Sequence, residues 1–218
     1  MRFYLLSILI YTFTPYKKRS RIYIYLLEMK EILITYAVKD EFMPITLEGY
    51  KIRYALTGIG KAKAAMKLTE AICEKRPNFV LNMGTAGTLN HAIGDVFVCR
   101  RFIDRDFQSV KLPGVEFEID FNSILSENGI ALDWISSNGQ TGVCNTGDSF
   151  VTQAEFIEGD VVDMEAFAQA IVCEEFNIPF IAVKYITDII GQNSVKHWED
   201  KLADARIGLD AWFRNKTV

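Results

Sequence analysis

The sequence predicts an α/β protein, a three-layer α/β/α sandwich around a central, largely parallel sheet. Three observations predict it. Short runs rich in β-branched and aromatic residues alternate with helical stretches along most of the chain. Several of those runs are apolar on both faces, the pattern of strands covered by helices on either side. The 218-residue chain is also long enough for one large domain, and no internal boundary forces a second. That domain is expected over residues 29–218, with residues 1–28 as an N-terminal extension outside the fold.

The elements follow in order from the first methionine inside the chain, Met29. Glu31 to Val38 reads as a buried strand, and Lys51 to Leu56 as a second that ends in the turn Thr57-Gly58-Ile59-Gly60. A helix is expected from Lys61 to Lys75, because Ala64, Ala65, Leu68 and Ile72 recur at three- and four-residue spacing and line up one apolar face. Pro77 stops it. Phe79 to Met83 is the next strand, closed by Gly84-Thr85-Ala86-Gly87. Gly94 to Phe107 is strand-like, Phe121 to Glu127 a short helix, and Gln140 to Asn145 a strand. Ala166 to Phe176 is a helix. Asn177-Ile178-Pro179 then turns the chain into Phe180 to Ile186, a near-continuous apolar strand. A last amphipathic helix runs from Ser194 to Phe213.

Composition excludes several function classes. A net charge of −4 offers no basic face for nucleic acid. The four cysteines, Cys73, Cys99, Cys144 and Cys173, form no CxxC pair and are expected as buried, reduced thiols. With only His91 and His197, both in polar stretches, a histidine-based zinc site or a Ser-His-Asp arrangement is poorly supplied. The apolar run Phe3 to Phe13 is short of the ~20 residues that span a bilayer. The basic cluster Lys17, Lys18, Arg19 and Arg21 follows that run, the reverse of a signal peptide. Translation is therefore expected to start at Met29; a membrane-surface anchor is the alternative reading of residues 1–28.

In doubly wound folds ligands bind outside the carboxyl ends of the strands. That rule selects Val38–Glu41, Gly58–Lys61, Gly84–Gly87, Thr146–Val151, Asp163–Glu165 and Thr187–Asp188. Gly58-Ile59-Gly60 ahead of a helix has the form of a phosphate cradle, although a glycine pair serves any tight turn equally well. Gly84 to Gly87 lets backbone approach a ligand closely, with the Thr85 hydroxyl as donor or acceptor. Glu41, Glu165 and Asp188 are carboxylates beside apolar segments. Asp188 directly follows a stretch that reads as core, where desolvation raises the pKa of a carboxyl group and equips it to hold a proton for donation.

The blocks Thr57-Gly-Ile-Gly-Lys-Ala-Lys-Ala-Ala65, Asn82-Met-Gly-Thr-Ala-Gly-Thr-Leu89, Gly94-Asp-Val96, Thr146-Gly-Asp-Ser-Phe-Val151, Val162-Asp-Met-Glu-Ala166 and Ile186-Thr-Asp188 occur in one order. In that order they resemble the nucleoside phosphorylase superfamily, and most of all its 5′-methylthioadenosine/S-adenosylhomocysteine nucleosidases. The resemblance implies the superfamily's mixed, largely parallel sheet and cleavage of an N-glycosidic bond. Such a reaction must protonate the departing purine, stabilise a cationic sugar and deliver a nucleophile. By similarity, Asp188 donates or shares a proton at purine N7 and Glu41 activates the attacking water. Glu165 accepts hydrogen bonds from the ribose hydroxyls, with Met164 packed on the sugar. Phe150 stacks on the base, and the Val151 backbone reads its edge. Thr85 lies near ribose and water, and Ile59 and Val38 lie towards the sugar and its 5′ substituent.

Phosphorylases of the superfamily hold their phosphate with arginines. Asn82 stands where one of these is expected, and Lys39-Asp40-Glu41 carries a carboxylate that repels phosphate and suits water activation. Hydrolysis is therefore expected, acting on methylthioadenosine or S-adenosylhomocysteine and releasing adenine, in the cytoplasm, with no cofactor and no metal. The expected partners are a small purine nucleoside and a second copy of the chain, but neither nucleic acid nor membrane. Phe102, Phe107 and Phe117 are candidates to reach a neighbour's site. Two departures stand out: Asp163 occupies a position where many bacterial members have Glu, and the segment between Asp106 and Gln140 is shorter than usual. The rivals are another purine nucleoside hydrolase of the futalosine type, a phosphorylase, and a non-catalytic nucleoside-binding protein in which Asp188→Asn would change little.

Overall fold

The computed structural model describes residues 29–127, 140–152, 157–192 and 194–214. The readings made on residues 1–28, and on the His197 side chain, lie outside the described part. So does much of the shortened segment before Gln140.

The described strands are β1 (Lys30–Tyr36), β2 (Tyr50–Leu56), β3 (Phe79–Thr88), β4 (Val96–Asp104), β5 (Glu118–Asp120), β6 (Gln140–Thr146), β7 (Val161–Asp163) and β8 (Phe180–Ile189). The helices are α1 (Lys61–Glu74), α2 (Arg105–Val110), α3 (Asn122–Glu127), α4 (Ala166–Glu175) and α5 (Ser194–Arg214), with a 3₁₀ turn at Lys39–Glu41. The strands run in the order β2-β1-β3-β7-β6-β4-β5, and β8 pairs with both β3 and β4. The pairs β1–β2, β1–β3, β3–β8, β4–β6 and β6–β7 are parallel, whereas β3–β7, β4–β5 and β4–β8 are antiparallel. The sheet is mixed and largely parallel, as expected. It also curls on itself: β3, β8, β4, β6 and β7 pair in a closed circuit, which the strand pattern alone did not predict.

Helices cover the sheet as the apolar strands require. α1 buries Ala64, Leu68 and Ile72, the face set by their spacing, and packs against α4. α4 is buried nearly all round, from Ala166 to Cys173, between α1 and the sheet. α5 packs separately on β8 and β3. Phe102, Phe121 and Phe180 meet at the centre, with ring centroids 5.0 to 6.1 Å apart. Phe102 is thus a core residue with no exposed surface, not a group offered to a neighbour. Phe107 is exposed and Phe117 half-buried.

Several element ends differ from the sequence reading. Gly84 to Gly87 does not close β3, which continues through it to Thr88, and β8 likewise continues through Thr187 and Asp188. The two strands stay paired there with a shift of register after Ala86, so that Gly87 lies opposite Asp188 and Thr187 is the extra residue of a bulge. Glycine weakens a strand but does not end one when both neighbours pair with it. The strand-like stretch to Phe107 stops at Asp104, whose carboxylate accepts hydrogen bonds from the amides of Asp106 and Phe107 and starts α2. β5 and β7 have three residues each, too few to show a period of two. Of the four cysteines, Cys99, Cys144 and Cys173 are buried thiols and Cys73 is exposed. Among the described residues no helix is long and apolar enough to cross a membrane, and no group of three or more His, Cys, Asp or Glu is arranged to hold a metal ion.

Candidate active site

A cavity of about 270 Å³ opens at the ends of β1, β3 and β8, the position that the strand-end rule selects. Val38, Glu41, Ile59, Thr85, Phe150, Val151, Met164, Glu165 and Asp188 all line it. The residues singled out in the sequence therefore converge on one cavity, although they come from six separate stretches of chain. Trp198, from the start of α5, lines it too. It went unnoticed in the sequence because a single tryptophan on an amphipathic helix looks like core.

Glu41 is buried at the end of the 3₁₀ turn. Its Oε2 accepts the amides of Ala37 and Val38, both at 3.2 Å. Its Oε1 accepts the Thr85 amide at 3.0 Å and the Thr85 hydroxyl at 2.7 Å. Two donors on each oxygen hold the carboxylate in one orientation. A Cβ on Gly84 would lie 3.1 Å from Glu41 Oε1. A side chain there would push the carboxylate aside by a few tenths of an ångström, so glycine lets β3 pass close to it.

Gly87 serves Asp188 in the same way. A Cβ there would lie 2.9 Å from Asp188 Oδ2, closer than real Cβ contacts come. Asp188 is buried, and the Thr187 hydroxyl donates to its Oδ1 at 2.9 Å. The two glycines of Gly84-Thr-Ala-Gly87 thus make room for one carboxylate each.

Glu165 sits at the start of α4, 7% exposed, and accepts the Gly60 amide at 3.0 Å. Burial, reinforced by the negative charge of Asp163, raises its pKa to about 7. Asp163 itself is held by Lys184 at 2.7 Å, the Thr146 hydroxyl at 2.6 Å and the Ala166 amide at 2.9 Å. Burial works against the Asp163 charge, but the buried Lys184 ammonium outweighs it and keeps its pKa below the usual value. Lys184 gains in the same exchange, its pKa raised by Asp163 in spite of burial.

The start of α1 is not a phosphate cradle. Gly60, at φ +94°, presents its amide to Glu165. The Lys61 amide goes to the Asp148 carboxylate at 2.8 Å, and the Lys61 ammonium to Asp104 and Asp106. Two protein carboxylates thus occupy the Gly60 and Lys61 amides, the first that an anion at this helix start would use. Asn82 lies outside the cavity wall, buried, with its amide nitrogen 3.3 Å from the Thr35 hydroxyl. His91 pairs with Asp160 at 3.2 Å, also away from the cavity.

A family model for the phosphorylase superfamily matches residues 28–210. A 5′-methylthioadenosine/S-adenosylhomocysteine nucleosidase from Buchnera aphidicola subsp. Schizaphis graminum is 32% identical over 181 residues, covering 74% of this chain and 77% of that protein. Among solved structures, a nucleosidase of the same name from Colwellia psychrerythraea in complex with adenine superposes with a TM-score of 0.69. It is 22% identical, with 87% of this chain and 95% of that one covered. The futalosine hydrolase of Helicobacter pylori superposes with a TM-score of 0.69 as well, at 21% identity, covering 87% and 97%. At those identities the solved structures speak for the fold alone, and the fold is the mixed sheet described above. Together with the family match over most of its length, this establishes that the chain belongs to the phosphorylase superfamily.

Proposed function

We propose that the protein is a purine nucleosidase that hydrolyses the N-glycosidic bond of 5′-methylthioadenosine or S-adenosylhomocysteine and releases adenine. The observation that carries the reading is the convergence of three buried carboxylates, Glu41, Glu165 and Asp188, with Phe150 and Met164 on one cavity. The purine lies between Phe150 and the end of β8, where Asp188 donates or shares the proton that N7 takes up as the bond breaks. Val151 presents its backbone to the edge of the base. Glu165 accepts from the ribose hydroxyls, and Met164 packs on the sugar. Water attacks the anomeric carbon, the bonding electron pair leaves with the base, and the water's proton passes to Glu41. Glu41 Oε2, held by the two longer bonds at 3.2 Å, is the oxygen that opens to that water. Val38, Ile59 and Thr85 enclose the sugar and its 5′ end.

Water is favoured over phosphate because the Gly60 and Lys61 amides are taken by carboxylates and Glu41 faces the cavity. The reaction needs no cofactor. The compartment we infer is the cytoplasm, where buried thiols such as Cys99, Cys144 and Cys173 stay reduced. The assembly we infer is a homodimer, since Phe107, Val110 and Leu112 form an exposed apolar strip on α2 and the turn after it.

Incubation with methylthioadenosine, with and without phosphate, tests the reading. Adenine and a free sugar are expected at the same rate in both. Formation of a sugar 1-phosphate would make the protein a phosphorylase, and absence of adenine would remove the substrate. One second reading is that a different purine nucleoside, of the futalosine type, is cut, since Glu41, Glu165 and Asp188 act on the water, the ribose and the base and not on the 5′ substituent. Base release from futalosine, measured in parallel, separates the two.

A further inference from the structure

The Trp198 indole N–H donates to the Thr85 hydroxyl oxygen at 2.9 Å, and the Thr85 hydroxyl donates to Glu41 Oε1 at 2.7 Å. A hydroxyl has one hydrogen to give. With the indole occupying an acceptor position on Thr85 Oγ1, that hydrogen is directed to Glu41 and one acceptor position remains on the oxygen. The same indole ring meets Phe150 edge-on, with centroids 6.4 Å apart. One side chain on α5 therefore touches the aromatic wall of the cavity and, through Thr85, its most heavily bonded carboxylate.

We infer that Trp198 is a positioning residue, whose N–H fixes Thr85 as a donor to Glu41 and leaves the Thr85 lone pair as the second acceptor for the attacking water. The inference rests on the hydrolase reading, which assigns the water to Glu41. Without the indole N–H, the Thr85 hydroxyl is free to rotate and to donate to the water instead. It then competes with Glu41 for the orientation in which the water's lone pair faces the sugar. The Thr85 amide still holds Glu41 Oε1, so the carboxylate stays in place and only the direction of the hydroxyl is lost.

A double-mutant cycle on kcat tests this. Trp198→Phe keeps a six-membered ring against Phe150 and removes the indole N–H, and the Thr85 backgrounds separate the loss of the donor from the loss of ring area. The loss of one hydrogen bond predicts a fall in kcat of about 3- to 10-fold. The same fall is expected in a Thr85→Ser background, which keeps a hydroxyl. In a Thr85→Val background Trp198→Phe should cost less than about twofold, since there is no hydroxyl left to direct. An equal loss in all three backgrounds, or a change confined to KM, would overturn the relay and leave Trp198 as a wall of the cavity. A measurement on the unchanged tryptophan stands beside the cycle. In protein labelled with ¹⁵N-tryptophan, Thr85→Val should shift the Trp198 indole resonance and speed its hydrogen exchange; an unchanged resonance also overturns the relay. Native protein that releases no base from any purine nucleoside would defeat the hydrolase reading and this inference with it. An active native protein with no coupling defeats this inference alone.

Discussion

Of the four carboxylates that line the cavity, Glu41, Glu165 and Asp188 have different surroundings, and those surroundings divide the work. Glu41 is held by four donors, Asp188 faces a glycine in a bulge, and Glu165 lies beside another buried carboxylate. Replacing Asp188 with Asn keeps the shape but removes the acid, and kcat should fall by about 10²-fold or more. Unchanged turnover in a steady-state assay would remove Asp188 as the acid, and tight binding without base release by the native protein would point instead to a protein that only binds nucleosides. Glu165 makes a pH prediction. Only its ionised form is acceptor-only, and with a pKa of about 7 that form gains ground as pH rises from 6 to 8, so KM should fall over that interval. Glu165→Gln should flatten this dependence. The stability sign is opposite. The folded protein binds this proton more tightly than the unfolded chain, so the contribution is fully present below about 4.5 and is lost as pH rises to about 7. Thermal melting from pH 4 to 8 in the native protein and Glu165→Gln isolates the difference. These carboxylates could be read from the sequence because each adjoins an apolar strand or a glycine-rich block. The ion pair of Lys184 with Asp163 beside Glu165 could not, because it depends on β8 meeting the end of β7.

At the level of elements, β3 and α5 carry information that local pattern hides. The sequence reading ends β3 at Met83 because glycines usually punctuate; the chain instead uses them inside the strand to admit Glu41 and Asp188. The alternation of strands and helices, and the apolar face of α1, were legible because period and burial agree. The bulge at Thr187 was not, since it arises from the register of two strands distant in the chain. Helix α5 presents a similar case. Gly208 lies in its interior, where glycine costs about 1 kcal/mol relative to alanine. A Cβ there would overlap the Tyr185 ring on β8. Gly208→Ala should therefore lower stability by about 1–3 kcal/mol in a denaturant titration, against the usual gain. Because α5 brings Trp198 to the cavity, the same change should also reduce kcat; a variant that is more stable and equally active would show that α5 does not seat on Tyr185 as described.

For the molecule as a whole, the assembly is the most direct test. Val110 is 60% exposed on the apolar strip of α2, so Val110→Glu should leave the stability of one subunit within about 0.5 kcal/mol. It should nevertheless convert a dimer to a monomer in sedimentation velocity, and a native protein already monomeric at micromolar concentration would end the dimer reading. The fold class was legible at this scale, because strands apolar on both faces leave few architectures. The closed circuit of strands was not, since nothing in the β8 sequence says that it pairs with both β3 and β4. That circuit has a consequence for how the protein reaches its working state. β8 is the last of the described strands, and Val80 waits for Phe180 before the circuit can close. Contacts so distant in sequence form slowly. Asp188 and Trp198 reach Glu41 only at that step, so during refolding from denaturant base-releasing activity should return with the slowest phase, after helix signals have recovered. A nascent chain would likewise remain catalytically silent until β8 and the start of α5 had emerged.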